Sequence, residues 1–406
     1  MTYCFLIFDI QELAHHESFI SHKKYSKMKN IIVLGGGMVG SAMAIDLAKK
    51  HIVTVADFNE EALDELKTKA SNIEVTQLDV AIESDLKALI SNFDLVVCAL
   101  PGFLGYQTLK WIIESRKNVV DISFFPEDAL ALKELAKVME VTAIVDCGVA
   151  PGMSNLVLGY HNKTMKIDHF ECLVGGLPKV KKWPFAYKAP FSPIDVIEEY
   201  TRPARYVENS HILTKPALSD VAHVEFDRVG TLESFNSDGL RSLLFTMEHI
   251  PNMIEKTLRY PGHVEYIQVL KSSGFFETKP IDVNGTKISP LDFTCKVLFD
   301  EWKLGEIEEE MTVMRISVSG KNESGDQESI IYHLHDEYNA ESQTSSMART
   351  TGYTATAAVN LVLENKFNEK GVFPPEKVSS HAGCFDFILQ YLNERGVVYR
   401  KETVLG

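Results

Sequence analysis

Asn30-Ile31-Ile32-Val33-Leu34-Gly35-Gly36-Gly37-Met38-Val39-Gly40 is the stretch whose reading decides the fold. Ile31 to Leu34 is a short, continuous apolar run, the pattern of a strand buried on both faces. Ser41 to Lys50 reads as the helix that follows. Between them, Gly35, Gly37 and Gly40 satisfy G-x-G-x-x-G. That pattern is weak in isolation and becomes informative between a strand and a helix. The first glycine permits a tight turn, the second lets backbone approach a pyrophosphate, and the third lets helix and strand pack closely. The helix N-terminus, with Met38 and Val39 in its first turn, then offers N–H groups and a positive dipole end to phosphates. The stretch therefore predicts a dinucleotide-binding turn.

The pattern continues outward. Strands are expected at His51 to Ala56, Glu74 to Leu78, Asp94 to Ala99, Asn118 to Ile122 and Thr142 to Val145. Helices are expected at Glu60 to Ser71, Ile82 to Ile90, Tyr106 to Arg116 and Ala129 to Met139. Alternating short strands and helices imply right-handed βαβ units on a parallel sheet. Ligands of such a sheet bind beyond the carboxyl ends of its strands. Asp57, at the end of the second strand and 17 residues after Gly40, can accept hydrogen bonds from the adenosine ribose hydroxyls. Its charge repels a 2′-phosphate, and Phe58 and Asn59 supply no arginine for one, so NAD is expected rather than NADP. Capping the next helix is compatible with the same position. Asp79 and Val80 end strand three, near the adenine, where Asp79 is equally suited to capping. Ala99, Leu100 and Pro101 end strand four and should pass beneath the cofactor.

Beyond Gly152 the pattern changes. Longer strands are expected at Asp168 to Val174, Ala222 to Arg228 and Met311 to Ser319, with a hairpin at Lys321 to Gln327 leading into Glu328 to His335. Helices are expected at Asp195 to Tyr200, Gly239 to Met247, His263 to Ser272 and Pro290 to Lys303. This describes an α+β domain on a mixed or antiparallel sheet. Two helical segments, Ser346 to Asn365 and Ser379 to Arg395, close the chain and can return to the first domain. The expected division is 1–28, an N-terminal extension; 29–150, a Rossmann domain; 151–345, a substrate and oligomerisation domain; and 346–406, the C-terminal helices.

Composition excludes several classes. The chain has 406 residues, 45% of them hydrophobic, 10% aromatic and 24% charged, which suits a multidomain globular protein and not a disordered one. A net charge of −15 disfavours nucleic acid and anionic membranes as partners. The six cysteines form no C-x-x-C, and His333 and His335 alternate on one strand face without a third ligand, so no metal is expected. Unpaired cysteines in apolar runs suit a reducing, cytoplasmic setting. No apolar stretch is long enough to span a membrane. Met1 to Ile10 lacks a basic start and a cleavage site, so it does not read as a signal peptide. Met28, directly before the first clean strand, reads as the functional start.

Asp146-Cys147-Gly148-Val149-Ala150-Pro151-Gly152-Met153-Ser154-Asn155 lies where the Rossmann run stops. With Gly175-Gly176-Leu177-Pro178, the stretch Trp183 to Arg205, Glu233 to Arg241, Arg259-Tyr260-Pro261-Gly262-His263 and Met347 to Gly352, it resembles the saccharopine dehydrogenase family, and within it the lysine 6-dehydrogenase branch. The resemblance runs over most of the chain from Lys29. It implies a Rossmann domain and a second domain folded like the substrate domain of dihydrodipicolinate reductase. Glutamate-forming saccharopine reductases typically carry an acidic residue before the Pro-Gly and Asp-His shortly after it. Ala150, Ser154 and Asn155 stand at those positions here, and Asp57-Phe58 replaces an NADP-type Ser-Arg pair.

The branch implies NAD-dependent oxidation of L-lysine at C6, with release of ammonia and 2-aminoadipate 6-semialdehyde. The ε-ammonium, with a pKa of about 10.4, must lose a proton before C6 can release hydride to nicotinamide. The site then needs a base, a cation for the α-carboxylate and an anion for the α-ammonium. Asp121 and Asp146 end strands five and six and are candidate catalytic carboxylates, or structural caps. Arg241 is a candidate clamp for the α-carboxylate, or half of an interdomain ion pair. His263, at a helix start, is a candidate proton relay, or structural. The alternatives are glutamate-forming saccharopine oxidation, a related amino-acid dehydrogenase, and a non-catalytic NAD-sensing regulator. A homo-oligomer, with a dimer favoured, is the expected assembly.

Overall fold

Ile31 to Leu34 are fully buried, as a central parallel strand requires when helices cover both its faces. The computed structural model of the chain describes residues 28–189, 193–305 and 308–405. The expected N-terminal extension, with Met28 as the functional start, concerns residues 1–28, of which 1–27 lie outside the described residues. The first six strands are β1 (Asn30–Leu34), β2 (Ile52–Asp57), β3 (Glu74–Gln77), β4 (Leu95–Cys98), β5 (Asn118–Asp121) and β6 (Thr142–Ile144). A strand from far along the chain, β17 (Gly371–Phe373), adds itself to β6. The order is β17-β6-β5-β4-β1-β2-β3, every pair parallel. Chain direction across the sheet reverses between β1 and β4, so a crevice opens at their carboxyl ends.

The second sheet contains β7 (Lys166–Pro178), β8 (Ala204–Glu208), β9 (His211–Lys215), β10 (Ala222–Phe226), β11 (Gly230–Asn236), β12 (Met253–Arg259), β15 (Glu310–Lys321), β16 (Gln327–Glu337) and β18 (Tyr399–Leu405). Its main path is β10-β11-β12-β7-β15-β16-β18, with β8 attached to β12 and β9 to β8. Only β12 and β7 pair in parallel; the expected mixed sheet is what forms. A small hairpin, β13 (Ile281–Val283) and β14 (Thr286–Ile288), stands apart.

The C-terminal return is physical. Helix Ser346–Leu363 packs along helix Met38–Leu47, the helix behind the glycine turn. Asp46 on that first helix is 2% exposed and bonded to the Arg395 guanidinium at 2.8 and 2.9 Å, to Tyr391 Oη at 2.7 Å and to Thr356 Oγ1 at 2.8 Å. A buried carboxylate is tolerated only when charge and lone pairs are both satisfied. Here residues from the last part of the chain do so. Strand β18 returns instead to the second sheet, so the tail ties both domains.

Three expected elements differ. The helix expected from Tyr106 begins at Gly102, because Gly102 packs directly on the backbone of Phe124; a Cβ there would stand 2.4 Å from its carbonyl oxygen. The helix expected over Gly239 to Met247 shrinks to Leu243–Thr246. Arg241 adopts a left-handed conformation (φ 44°) as its guanidinium turns inward, which interrupts the helix. The last expected helix, Ser379 to Arg395, is shorter: it runs Cys384–Asn393, starting after Gly383 at φ 78°, and a separate short helix, Pro375–Ser379, precedes it. Among the described residues no helix is long and apolar enough to cross a membrane.

Candidate active site

A cleft of about 1020 Å³ runs from the glycine turn to the face of the second sheet. Its first half is made by the carboxyl ends of β1 to β4. Gly35 is at φ 103°, and a Cβ there would lie 2.3 Å from the carbonyl oxygen of Ala99. At Gly40 a Cβ would lie 2.0 Å from the carbonyl oxygen of Gly35. Both positions are therefore closed to any side chain. Gly37 differs: a Cβ would meet nothing within 4 Å. It borders open space at the N-cap of helix Met38–Leu47, where a diphosphate fits against unpaired N–H groups.

Asp57 directs Oδ2 at the Gly36 N–H (2.5 Å) and Oδ1 at the Asn59 N–H (2.7 Å). These bonds fix the carboxylate at the rim of the turn, while Phe58 beside it is largely exposed. Asp79 accepts from the Ala81 N–H at 2.9 Å, a turn-capping bond. Gly35, Gly37, Met38, Val39, Gly40, Asp57, Asp79, Val80, Ala99, Leu100 and Pro101 all line the cleft. This surface fits a nicotinamide dinucleotide.

The sequence-derived candidates for the second half separate. Asp146 lines the cleft, 6% exposed, and its Oδ1 receives the Arg241 Nε at 2.9 Å. Arg241 also donates to the carbonyl of Phe125 at 2.7 Å and lies over the ring of Phe124, 4.6 Å from its centroid. That guanidinium does not line the cleft; it joins the two domains through Asp146, so the expected carboxylate clamp is instead an interdomain ion pair. Asp121 is completely buried behind the lining and accepts from the Ser123 N–H at 2.6 Å. Burial raises its pKa to about 7, and the backbone bond from Ser123 opposes the rise.

His263 likewise lies behind the wall, 2% exposed. Nδ1 donates to the carbonyl of Phe185 at 2.9 Å, which leaves Nε2 to accept from Tyr200 Oη at 2.9 Å. Tyr200 Oη in turn accepts from Arg259 Nε at 3.1 Å, and Arg259 Nη2 reaches Glu199 at 2.9 Å. Burial and the nearby Arg259 charge lower the His263 pKa to about 3, so the ring is neutral. It positions Arg259 and does not itself face the cleft.

The sequence reading passed over β12, which makes the wall. Glu255, Thr257 and Arg259 alternate along it and all line the cleft, as side chains two residues apart share a sheet face. Glu255 is 4% exposed, and burial next to Glu199 and Asp238 raises its pKa to about 8. Opposite stand Asp195, Glu198 and Glu199 on helix Pro193–Thr201 and Arg202 directly after it, with Asp238 bonded to Arg205 at 2.8 and 2.9 Å. Away from Asp57 and Asp79, the lining holds seven carboxylates (Asp146, Asp195, Glu198, Glu199, Asp238, Glu255, Asp300) against three cations (Arg202, Arg259, Lys303). Arg241 and Arg205 pair with Asp146 and Asp238 from outside the lining, so carboxylates exceed cations by seven to five, and that excess favours a cation over a polyanion. Of the branch-marking positions, Ala150 lines the cleft, while Ser154 and Asn155 are fully buried. Asn155 is held by Glu376 at 3.1 Å.

Comparison with known proteins matches both halves of the chain. A model described as the saccharopine dehydrogenase NADP binding domain covers residues 31–144, and one described as the saccharopine dehydrogenase C-terminal domain covers residues 148–397. The mitochondrial alpha-aminoadipic semialdehyde synthase of Mus musculus is 23% identical over 98% of this chain and 50% of its own length. The chain thus spans about half the length of that relative. Saccharopine dehydrogenase (NADP(+), L-glutamate-forming) of Pyricularia oryzae is 23% identical over 93% of this chain and 99% of its own. Among solved structures, apo histidine-tagged saccharopine dehydrogenase (L-Glu forming) from Saccharomyces cerevisiae shares the fold, with a TM-score of 0.75 at 22% identity, over 93% of this chain and 100% of that one. The chain belongs to the saccharopine dehydrogenase family.

Proposed function

We propose that this member of the family oxidises L-lysine at C6 with NAD, releasing ammonia and 2-aminoadipate 6-semialdehyde. One observation carries the reading: the dinucleotide turn opens into a wall on which carboxylates outnumber cations seven to three. Lysine enters as a net cation with two ammonium groups and one carboxylate. Saccharopine carries three carboxylates, two more than lysine, and would add them to a lining that already holds an excess of carboxylates over cations, which costs affinity. Arg241 is engaged with Asp146, Arg202 with Glu198 and Arg259 with Glu199, which leaves Lys303, among the described residues, as the lining cation without an ion-pair partner for the α-carboxylate.

A nicotinamide dinucleotide with its diphosphate at the glycine turn would supply the two-electron acceptor for oxidation of the C–N carbon. The protein's share is binding, orientation and proton handling. Asp57, fixed at the rim of the turn by the Gly36 N–H, would hold the ribose hydroxyls and disfavour a 2′-phosphate, which supports NAD despite the NADP of the matched model's description. The Asp146–Arg241 pair and the Tyr200–Arg259–Glu199 chain keep the wall rigid. Because only a neutral ε-amine can be oxidised, turnover rises towards alkaline pH.

Saccharopine oxidation is the second reading, favoured by the names of the relatives. Product analysis separates the two. Incubation of L-lysine with NAD should yield ammonia and the semialdehyde in equal amounts. Glutamate from saccharopine, with no ammonia from lysine, would replace the first reading with the second.

A further inference from the structure

Of the seven carboxylates on the substrate half of the cleft, four have cationic partners that fix them in ion pairs. Asp146 pairs with Arg241, Glu198 with Arg202, Glu199 with Arg259 and Asp238 with Arg205. Glu255 has none among the described residues. Its Oε2 is buried without a hydrogen-bond partner. Its Oε1 stands over Gly239, where a Cβ would come within 1.6 Å of it, so the carboxylate occupies space that no other residue type at 239 would leave. A buried polar atom with no partner is costly and needs a reason.

We infer that Glu255 is the cleft's receptor for a primary ammonium group of the substrate, supplied by the ligand as the missing cationic partner. This deepens the lysine reading and rests on it for the identity of the substrate. Thr257 Oγ1 and Ser237 Oγ, bonded to each other at 2.8 Å, also line the cleft and add hydroxyl oxygens as further acceptors. An alkylammonium has three donors to distribute among such groups. The recognised class is therefore a primary alkylammonium ion; an added carboxylate at this point would face Glu255 directly.

The charged and titratable groups around Glu255 set how binding couples to protons. Glu199 of helix Pro193–Thr201, Asp238 beyond β11 and Asp146 beyond β6 all disfavour its ionisation, and Arg241 favours it. The Cys172 thiol on β7 lies at the paired position across the sheet and is kept protonated by burial. With a pKa of about 8, Glu255 is mostly protonated near neutrality in the empty cleft. An arriving ammonium restores the charged form, so the carboxyl proton leaves to solvent as the cation binds.

The test is calorimetric binding to the complex of the protein with NADH, at about pH 7, in two buffers of different ionisation enthalpy. L-lysine and cadaverine are expected to release close to one proton each on binding. L-norleucine, which lacks the ε-ammonium, and 6-aminohexanoate, which lacks the α-ammonium, show which of lysine's two groups does so. Glu255→Gln keeps the shape, and should abolish the release and weaken both cations by roughly 10- to 100-fold, the range for a lost charged hydrogen bond. NADH affinity should stay within about twofold, because Glu255 lies outside the dinucleotide turn. Glu255→Asp should restore part of the release. Unchanged affinity and unchanged release in Glu255→Gln would overturn the assignment even if lysine is turned over. Release with cadaverine in a protein that does not oxidise lysine would retain Glu255 as the ammonium site and remove the lysine reading. Absence of any amine binding would overturn both.

Discussion

The two halves of the cleft are built by different means. The dinucleotide half is backbone: turns at the ends of β1 to β4, two glycines with no room for a Cβ, and a helix N-terminus. The substrate half is side chain: a polar face of β12 and one helix, gathered from residues about 195 to 303 and held by ion pairs. Local sequence encodes the first within one short stretch. The second exists only once two domains meet. The first should therefore fail abruptly on substitution, and the second by degrees.

The largest effect is expected at the glycines. Gly40→Ala forces a Cβ to within 2.0 Å of the Gly35 carbonyl oxygen, so the turn must open. NADH affinity, read by fluorescence titration, should fall by more than about 100-fold and the melting temperature should drop, a cost typical of overpacking. Gly37→Ala is the contrast. It has space in the protein, so it should keep the melting temperature and lose NADH affinity alone. If both variants behaved alike, backbone closure would not be what distinguishes the two glycines.

Arg241→Ala tests the other half. It strands Asp146 and the Phe125 carbonyl in a buried place, and denaturant unfolding should show a loss of about 3–5 kcal/mol. A stable variant with only a raised KM for lysine would return Arg241 to the role of substrate clamp.

His263 gives a smaller, pH-dependent effect. Unfolded histidine takes up a proton near 6.5, while the folded ring resists until about 3. Its contribution is complete above about 6.5 and is lost as pH falls towards 3, by about 1.4 kcal/mol per pH unit within that window. His263→Gln removes this titration, so the variant's stability, measured by urea unfolding at a series of pH values, should fall less steeply than the wild type's as pH drops from about 6.5 towards 3. An unchanged slope would place the acid sensitivity elsewhere.

The smallest expected change is in cofactor choice. Asp57→Ser with Phe58→Arg removes the repelling carboxylate and adds a cation for a 2′-phosphate. The ratio of kcat/KM for NAD over NADP should move towards NADP by about tenfold or more. A wild type that already prefers NADP would contradict the reading of the β2 end.

Strand β1, its glycine turn and Asp57 were legible because each needs only neighbours in sequence. Strand β12 was not. Buried Glu255, Thr257 and Arg259 put polar residues at alternate positions, so Met253 to Arg259 shows no apolar rhythm, although charge at those positions is what the cleft requires. The alternation itself, and the unusual Glu-x-Thr-x-Arg on one sheet face, was the signal available. Arg241 and His263 lie in stretches that carry the family resemblance, yet they serve the wall from behind. Motif position alone does not distinguish a residue that touches substrate from one that orients its neighbour. The left-handed backbone at Arg241 and the late helix start after Gly383 are set by tertiary contacts and local geometry that helix periodicity does not register.

The acid-lined wall as the selector of substrate is tested most directly by one ratio: kcat/KM for L-lysine against kcat/KM for saccharopine, measured on the full chain with NAD. Charge repulsion along the wall predicts a preference for lysine of at least about 100-fold. A preference for saccharopine would contradict it, because three carboxylates would then bind where carboxylates outnumber cations.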